Sequence, residues 1–116
     1  MPLTSSVPGE VPAVSDETFA REVLQSDTPV LVDFWAEWCP HCRMVGQVVA
    51  EIAEERAGSL TVRSFNADEN PTTMLTYRVM ALPTLLLFRD GQPVLSIVGA
   101  RSKARILSDL DAALAD

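Results

Sequence analysis

At 116 residues the chain sits near the roughly 100 to 200 residues of one domain, which excludes two full-sized ones. With 47% hydrophobic and 22% charged residues it can bury enough apolar surface to fold, which excludes wholesale disorder. A net charge of -7, with arginines scattered from Arg21 to Arg105 rather than in a run, disfavours nucleic acid and reads as a solvated acidic surface. The longest apolar runs, Val30-Leu31-Val32 and Thr84-Leu85-Leu86-Leu87-Phe88, fall far short of the roughly 18 residues of a membrane-spanning helix.

Residues 1–10 are rich in Pro, Ser and Gly without a period and are expected to be a flexible lead-in to a domain over residues 11–116. They lack the basic start and apolar stretch of a secretory signal, so the sequence reads as cytoplasmic. A weak strand is expected over Val11 to Val14. Ser15 then caps a helix with Phe19, Val23 and Leu24 on its apolar face, and Asp27-Thr28-Pro29 ends it. The unbroken apolar run from Val30 to Trp35 predicts a strand covered on both faces.

An amphipathic helix follows, with Met44, Val45, Val48, Val49, Ile52 and Ala53 on one face and Gln47, Glu51, Glu54 and Glu55 on the other, stopped by Gly58. Leu60 to Asn66 reads as a strand. Asn70-Pro71 is a capping residue before a proline at the first helical position, opening a short helix to about Tyr77. Thr84 to Phe88 and Val94 to Val98 flank Asp90-Gly91 and should be antiparallel neighbours. Ser102 caps a last helix with Ile106, Leu107, Leu110, Ala113 and Leu114 on one stripe. The order implies an α/β fold, a mixed central sheet of about five strands clad by four helices.

Both cysteines lie in Trp38-Cys39-Pro40-His41-Cys42, between the buried strand and the amphipathic helix. A helix N-terminus presents unpaired N–H groups and the positive end of the helix dipole, which stabilise a thiolate and lower its pKa. The second sulfur lies one turn on, so the pair can attack a substrate disulfide through Cys39 and resolve the mixed disulfide through Cys42. Other readings compete. A structural disulfide would staple only a short loop and stabilise little. A zinc site would need two further ligands, with no third cysteine present and the only histidine between the two. Two inert core cysteines have no reason to stand at a helix start beside Trp38 and Pro40.

The segment Val32-Asp33-Phe34-Trp35-Ala36-Glu37-Trp38-Cys39, with Cys42, Arg43 and Met44, resembles the active-site segment of the thioredoxins. The resemblance continues in order through Asp68-Glu69-Asn70-Pro71, the stretch from Tyr77 to Phe88, Asp90-Gly91 and Val98-Gly99-Ala100, from about Val11 to the C-terminus. It implies the thioredoxin fold and a thiol-disulfide oxidoreductase that reduces protein disulfides. Cys39 would be the nucleophile, Cys42 the resolving thiol, and Asp33 the group that exchanges a proton with it. The resemblance also implies a cis peptide at Leu82-Pro83, with the Leu82 backbone pairing an extended substrate strand. Trp38, Gly99 and Ala100 would form the apolar rim, while Trp35 reads equally as core packing.

The same resemblance implies no organic cofactor or metal, a thioredoxin reductase as recharging partner, and a monomer that engages neither nucleic acid nor membrane. The sequence departs from the family at three places. Pro40-His41 replaces the usual Gly-Pro between the cysteines and resembles the dipeptide of the periplasmic oxidant DsbA, so Pro40 and His41 are expected to tune the redox poise toward the oxidising side. Ser64 stands where a lysine is usual near the buried aspartate. Gln47 replaces the proline that usually kinks the active-site helix, which should leave it straighter. Two alternatives stand beside the reductase reading: a more oxidising disulfide oxidase or isomerase, and a thioredoxin-fold binding module in a complex.

Overall fold

A computed structural model describes residues 11–115. The expected lead-in over residues 1–10 lies outside the described residues. In chain order the elements are β1 (Ala13–Val14), a helix wound as a π-helix (Ala20–Leu24), β2 (Val30–Trp35), α1 (Cys42–Glu55) and β3 (Thr61–Asn66). A 3-10 turn (Ala67–Glu69), α2 (Pro71–Thr76), β4 (Thr84–Arg89), β5 (Gln92–Val98) and α3 (Lys103–Leu114) complete it. The strands form one mixed sheet in the order β1-β3-β2-β4-β5, with β3 parallel to both β1 and β2, and β4 antiparallel to both β2 and β5. The thioredoxin fold implied by the resemblance is the fold observed.

Strand β2 is central, and Val30 to Phe34 are buried, as its unbroken apolar run requires. Alternation along it feeds two cores. Leu31 joins Val62, Leu85, Leu87 and Ile97 beneath Val45, Val49 and Ile52 of α1 and Ile106 and Leu110 of α3. Val30, Val32 and Phe34 join Phe65, Leu86 and Phe88 on the other face, under Phe19 and Val23. Full burial of each such side chain stabilises by roughly 1.5–3 kcal/mol. Phe19 meets Phe65 and Phe88 edge-on at 5.9 and 5.4 Å between ring centroids.

The turn chemistry behaves as read. Asp90 and Gly91 both take positive φ (54° and 78°), the two-residue hairpin turn that matches strand twist. A bulge opposite Leu87/Phe88 lets Pro93 sit in the edge strand β5. Ser102 caps α3, its side chain accepting from the Arg105 N–H at 3.2 Å.

Four local details differ from expectation. The first strand is only two residues long, although the Pro12 carbonyl already accepts from the Ser64 N–H at 2.9 Å. In the first helix Ser15 and Thr18 exchange reciprocal backbone-to-side-chain hydrogen bonds, but the winding is wide, with the Gln25 N–H reaching back to the Ala20 carbonyl. A wide turn returns residues four and five positions on to one face, which brings Val23 and Leu24 both toward the core below Phe19. Met44 is 50% exposed rather than part of the apolar face of α1, because it lies roughly 100° off the stripe centred on Val45 and Val49.

The fourth concerns α2. Asn70 precedes Pro71 as read, but its side chain does not cap the helix. Its Oδ1 accepts from the Asp16 N–H at 2.9 Å, and the Asp16 carboxylate takes the N–H groups of Thr72 and Thr73 at 3.1 and 2.8 Å. The cap is thus supplied from the start of the first helix. Burial works against the Asp16 charge, yet the hydrogen bonds from Thr73 and Thr72 together outweigh it and hold the carboxyl below its ordinary value. A depressed carboxyl pKa contributes stability above the unfolded value that is lost as pH falls through the folded one. Asp16→Ala is therefore expected to lower stability by about 1 kcal/mol at pH 7. Denaturant midpoints of the two proteins should draw together only as pH falls below about 4, the unfolded-state value, and on through the lower folded-state one.

Candidate active site

The chain leaves β2 at Trp35, turns with the Cys39 N–H donating to the Ala36 carbonyl at 3.1 Å, and enters α1 at Cys42. Cys39 and Cys42 are joined in a disulfide, with Cα atoms 5.4 Å apart. Both are buried, and with Ala36 they form a small cluster against which Trp35 and Leu82 pack. His41 is the cap residue, exposed and without a side-chain cap hydrogen bond, and Cys42 is the first helical residue. Cys39 thus stands just ahead of the open end of α1, where backbone N–H groups lack intrahelical partners.

The other residues singled out from sequence converge on the same end of the sheet. Leu82-Pro83 is a cis peptide. Pro83 is buried, and its carbonyl accepts from the Gly99 N–H at 2.8 Å, which ties the end of β5 to the cis turn. Gly99 has φ 88°, a backbone region that favours glycine. Ala100 is half-buried and leans on the core beneath α1 and α3. Trp38 is 67% exposed, and its indole Nε1 donates to Asp68 Oδ1 at 3.1 Å. Asp68 is in turn held by its N–H to Asn66 Oδ1 at 3.0 Å. This anchor of Trp38 went unassigned from sequence, since a contact across thirty residues leaves no local pattern.

Asp33 is in β2, facing α1, beside Ser64 of β3 and Leu85 of β4 in register. It is buried, and its Oδ1 has no hydrogen-bond partner among the described residues. Gly46 of α1 passes directly over it: a Cβ there would stand 3.8 Å from Asp33 Oδ2. A groove of about 930 Å³ lined by Asp33, Trp35, Cys39, Cys42, Gly46 and Ser64 joins the carboxyl to the disulfide. Burial alone pushes the Asp33 pKa up to about 7. Among the described residues no cluster of three or more His, Cys, Asp or Glu is placed to hold a metal, and no helix is long and apolar enough to cross a membrane.

A buried carboxyl displaced upward binds its proton in the folded state where the unfolded chain has lost it. Its contribution to stability is therefore largest at low pH and declines as pH rises from about 4 to about 7. The displacement corresponds to about 4 kcal/mol. Asp33→Asn is expected to raise stability at pH 8 by a few kcal/mol, and the gain should disappear at pH 4. Urea unfolding at pH 4, 6 and 8 measures it, and a constant difference across that range would mean that ionisation of Asp33 is not the cause.

Comparison with known proteins is consistent along the chain. The family model described as Thioredoxin matches residues 10–112. A thioredoxin of Mycobacterium bovis is 51% identical over 108 residues, covering 93% of each chain. One of Acidithiobacillus ferridurans is 50% identical over 101 residues, 87% of this chain and 94% of the relative. A bifunctional thioredoxin reductase/thioredoxin of Mycobacterium leprae is 50% identical over 97 residues, 84% of this chain but 21% of that longer protein. Half its residues being shared with thioredoxins over nearly the whole of both chains, the protein belongs to the thioredoxin family, the protein-disulfide oxidoreductases that work by dithiol-disulfide exchange through such a cysteine pair.

Proposed function

We propose that the protein is a cytoplasmic, monomeric reductant of protein disulfides, recharged by a thioredoxin reductase, with Cys39 as nucleophile and Cys42 as resolving thiol. The observation that carries this reading is the Cys39–Cys42 bond at the open end of α1, in one groove with a carboxyl held near neutrality. In the reduced protein the Cys39 thiolate attacks one sulfur of a substrate disulfide, and the other leaves as a thiolate. Asp33, with its pKa raised to about 7 and so increasingly ionised as pH rises through neutrality, takes the proton of Cys42. The Cys42 thiolate then attacks Cys39 Sγ, releasing the second substrate sulfur and re-forming the internal disulfide, so two electrons pass to the substrate. The Leu82 backbone ahead of Pro83 pairs the substrate strand, and Trp38, Gly99 and Ala100 form the rim around it. The reductase partnership is supported by the Mycobacterium leprae relative, named for both activities in one chain.

Two experiments follow. Incubation with a bacterial thioredoxin reductase and NADPH should reduce the Cys39–Cys42 bond and sustain insulin reduction; failure would favour the oxidase or isomerase reading. In the same assay Cys42→Ser should accumulate mixed disulfides through Cys39, and equal trapping by Cys39→Ser would reverse the assigned order.

Pro40 and His41 set the poise on this reading. His41, exposed at the cap of α1, can donate a hydrogen bond to the Cys39 thiolate or attract it when charged, and either favours the dithiol. A hydrogen bond to a charged group contributes about 1.5–3 kcal/mol. For a two-electron couple that is roughly 30–60 mV. Equilibration with glutathione should therefore show the double variant Pro40→Gly with His41→Pro to be more reducing than the parent. Equal potentials would free the dipeptide of that role.

A further inference from the structure

Most basic side chains of this acidic protein are matched to carboxylates: Arg21 and Arg63 to Glu22, Arg56 to Asp111, Lys103 to Glu51 and Glu55, and Arg105 to Asp109. Arg43, Arg78 and Arg101 form no ion pair among the described residues. Arg43 shares its groove with Glu37. Arg101 stands against Gly99, which is bonded to Pro83, and Arg78 shares a hollow with Ala81, Thr84 and Val98 around the cis turn.

Two details make these arginines more than ordinary exposed charges. Arg101 is exposed, yet its Nη1 is fixed by the Ala100 carbonyl at 3.0 Å. That places the guanidinium 3.1 Å from where a Cβ on Gly99 would stand, against the residue bonded to Pro83. Arg78 ends α2 in the left-handed conformation, φ 55°, with its own N–H on the Leu75 carbonyl and the Val79 N–H on the Met74 carbonyl. That helix ending favours glycine, and any side chain there costs roughly 1–2 kcal/mol. An exposed arginine in a strained backbone position at the border of a binding surface points to selection for its charge. Beside it Met80 is 92% exposed and, with Val98, lines a hollow of about 140 Å³ that takes in Ala81 and Thr84, the residues on either side of Leu82-Pro83.

We propose that Arg78 and Arg101 form a cationic shelf along the Leu82-Pro83 flank that receives a carboxylate of the substrate, so that protein disulfides with an Asp or Glu close to the attacked cysteine are preferred. The inference rests on the reading that the substrate strand lies along Leu82-Pro83. Its sign is opposite to that of the whole molecule, since a net charge of -7 favours basic partners at long range. Local pairing and bulk steering are thus distinguishable in one assay.

The substrates are peptide disulfides identical except for Asp, Asn or Lys two residues before or after the cysteine, reduced by the pre-reduced protein at low and high salt. In at least one placement the rate should rank Asp over Asn over Lys, with Asp ahead of Asn by roughly twofold to tenfold at low salt. The gap should narrow at high salt. Arg78→Gln with Arg101→Gln should abolish that ranking, whereas Arg105→Gln should keep it. Arg78→Gly, which suits the left-handed backbone, should weaken the ranking in a protein that folds at least as well. Lys level with or ahead of Asp in both placements would overturn the shelf. Failure to reduce even the Asn peptides would instead strike the reductase reading beneath it.

Discussion

Strand β2 is enclosed on every side: β3 and β4 take its two edges, α1 covers one face and the Phe19 cluster the other. Its backbone donors and acceptors are satisfied by neighbours in register, and Val30, Leu31, Val32 and Phe34 are fully buried, Asp33 alone of residues 30–34 bordering the groove. The chain can leave such a strand only at its end. Because β3 runs parallel to β2, the return passes over one face as a helix, which is α1. The start of α1 is thereby held beside the end of β2, and Cys39 and Cys42 occupy the junction. The position of the disulfide is a consequence of how the central strand is covered.

The same enclosure explains the most costly residue in the molecule. Alternation along β2 turns Asp33 toward α1, into the face that Leu31 helps fill with apolar side chains. An unpartnered Oδ1 in that place raises the carboxyl pKa by desolvation alone. An apolar residue there would pack more favourably, so the acid is a local conflict of the kind that natural sequences keep where chemistry is done. Gly46 of α1 passes over this carboxyl, where a Cβ would make ordinary contact at 3.8 Å from Oδ2, and both residues border the groove that the cysteines also line.

Features whose cause is local were legible in the sequence. The unbroken run of β2, the hairpin at Asp90-Gly91, the Ser102 cap and the Val45, Val49 and Ile52 stripe each depend on a few adjacent residues. The cis peptide at Leu82-Pro83 was legible through family resemblance, whereas the pairing of the cysteines was legible also from their spacing at a helix start. What escaped is tertiary. Asn70 looks like the cap of α2, but Asp16, brought across the fold, supplies the bonds. Trp38 reads as a free rim residue until Asp68 is folded against its indole. Met44 fits a helical face by periodicity and misses the packed stripe by part of a turn.

Charge shows the same division between what a chain adds up to and where the fold puts it. The lysine and arginines that meet carboxylates are used mainly along helices: Lys103 and Arg56 bridge α3 and α1 through Glu51, Glu55 and Asp111, and Arg105 pairs within α3. Such exposed pairs each contribute only a fraction of a kcal/mol. They do, however, cancel positive charge on the sides of the molecule, so the net excess there is negative. Arg78 and Arg101 lie outside these pairs, Arg101 against Gly99 and Arg78 in a hollow with Ala81 and Thr84. A substrate at long range meets the field of the whole surface, but one seated against Pro83 meets mainly the charges within about a Debye length of about 8 Å. Net charge therefore bears on the approach of a partner, while on the proposed seating the local arginines bear on the final contact.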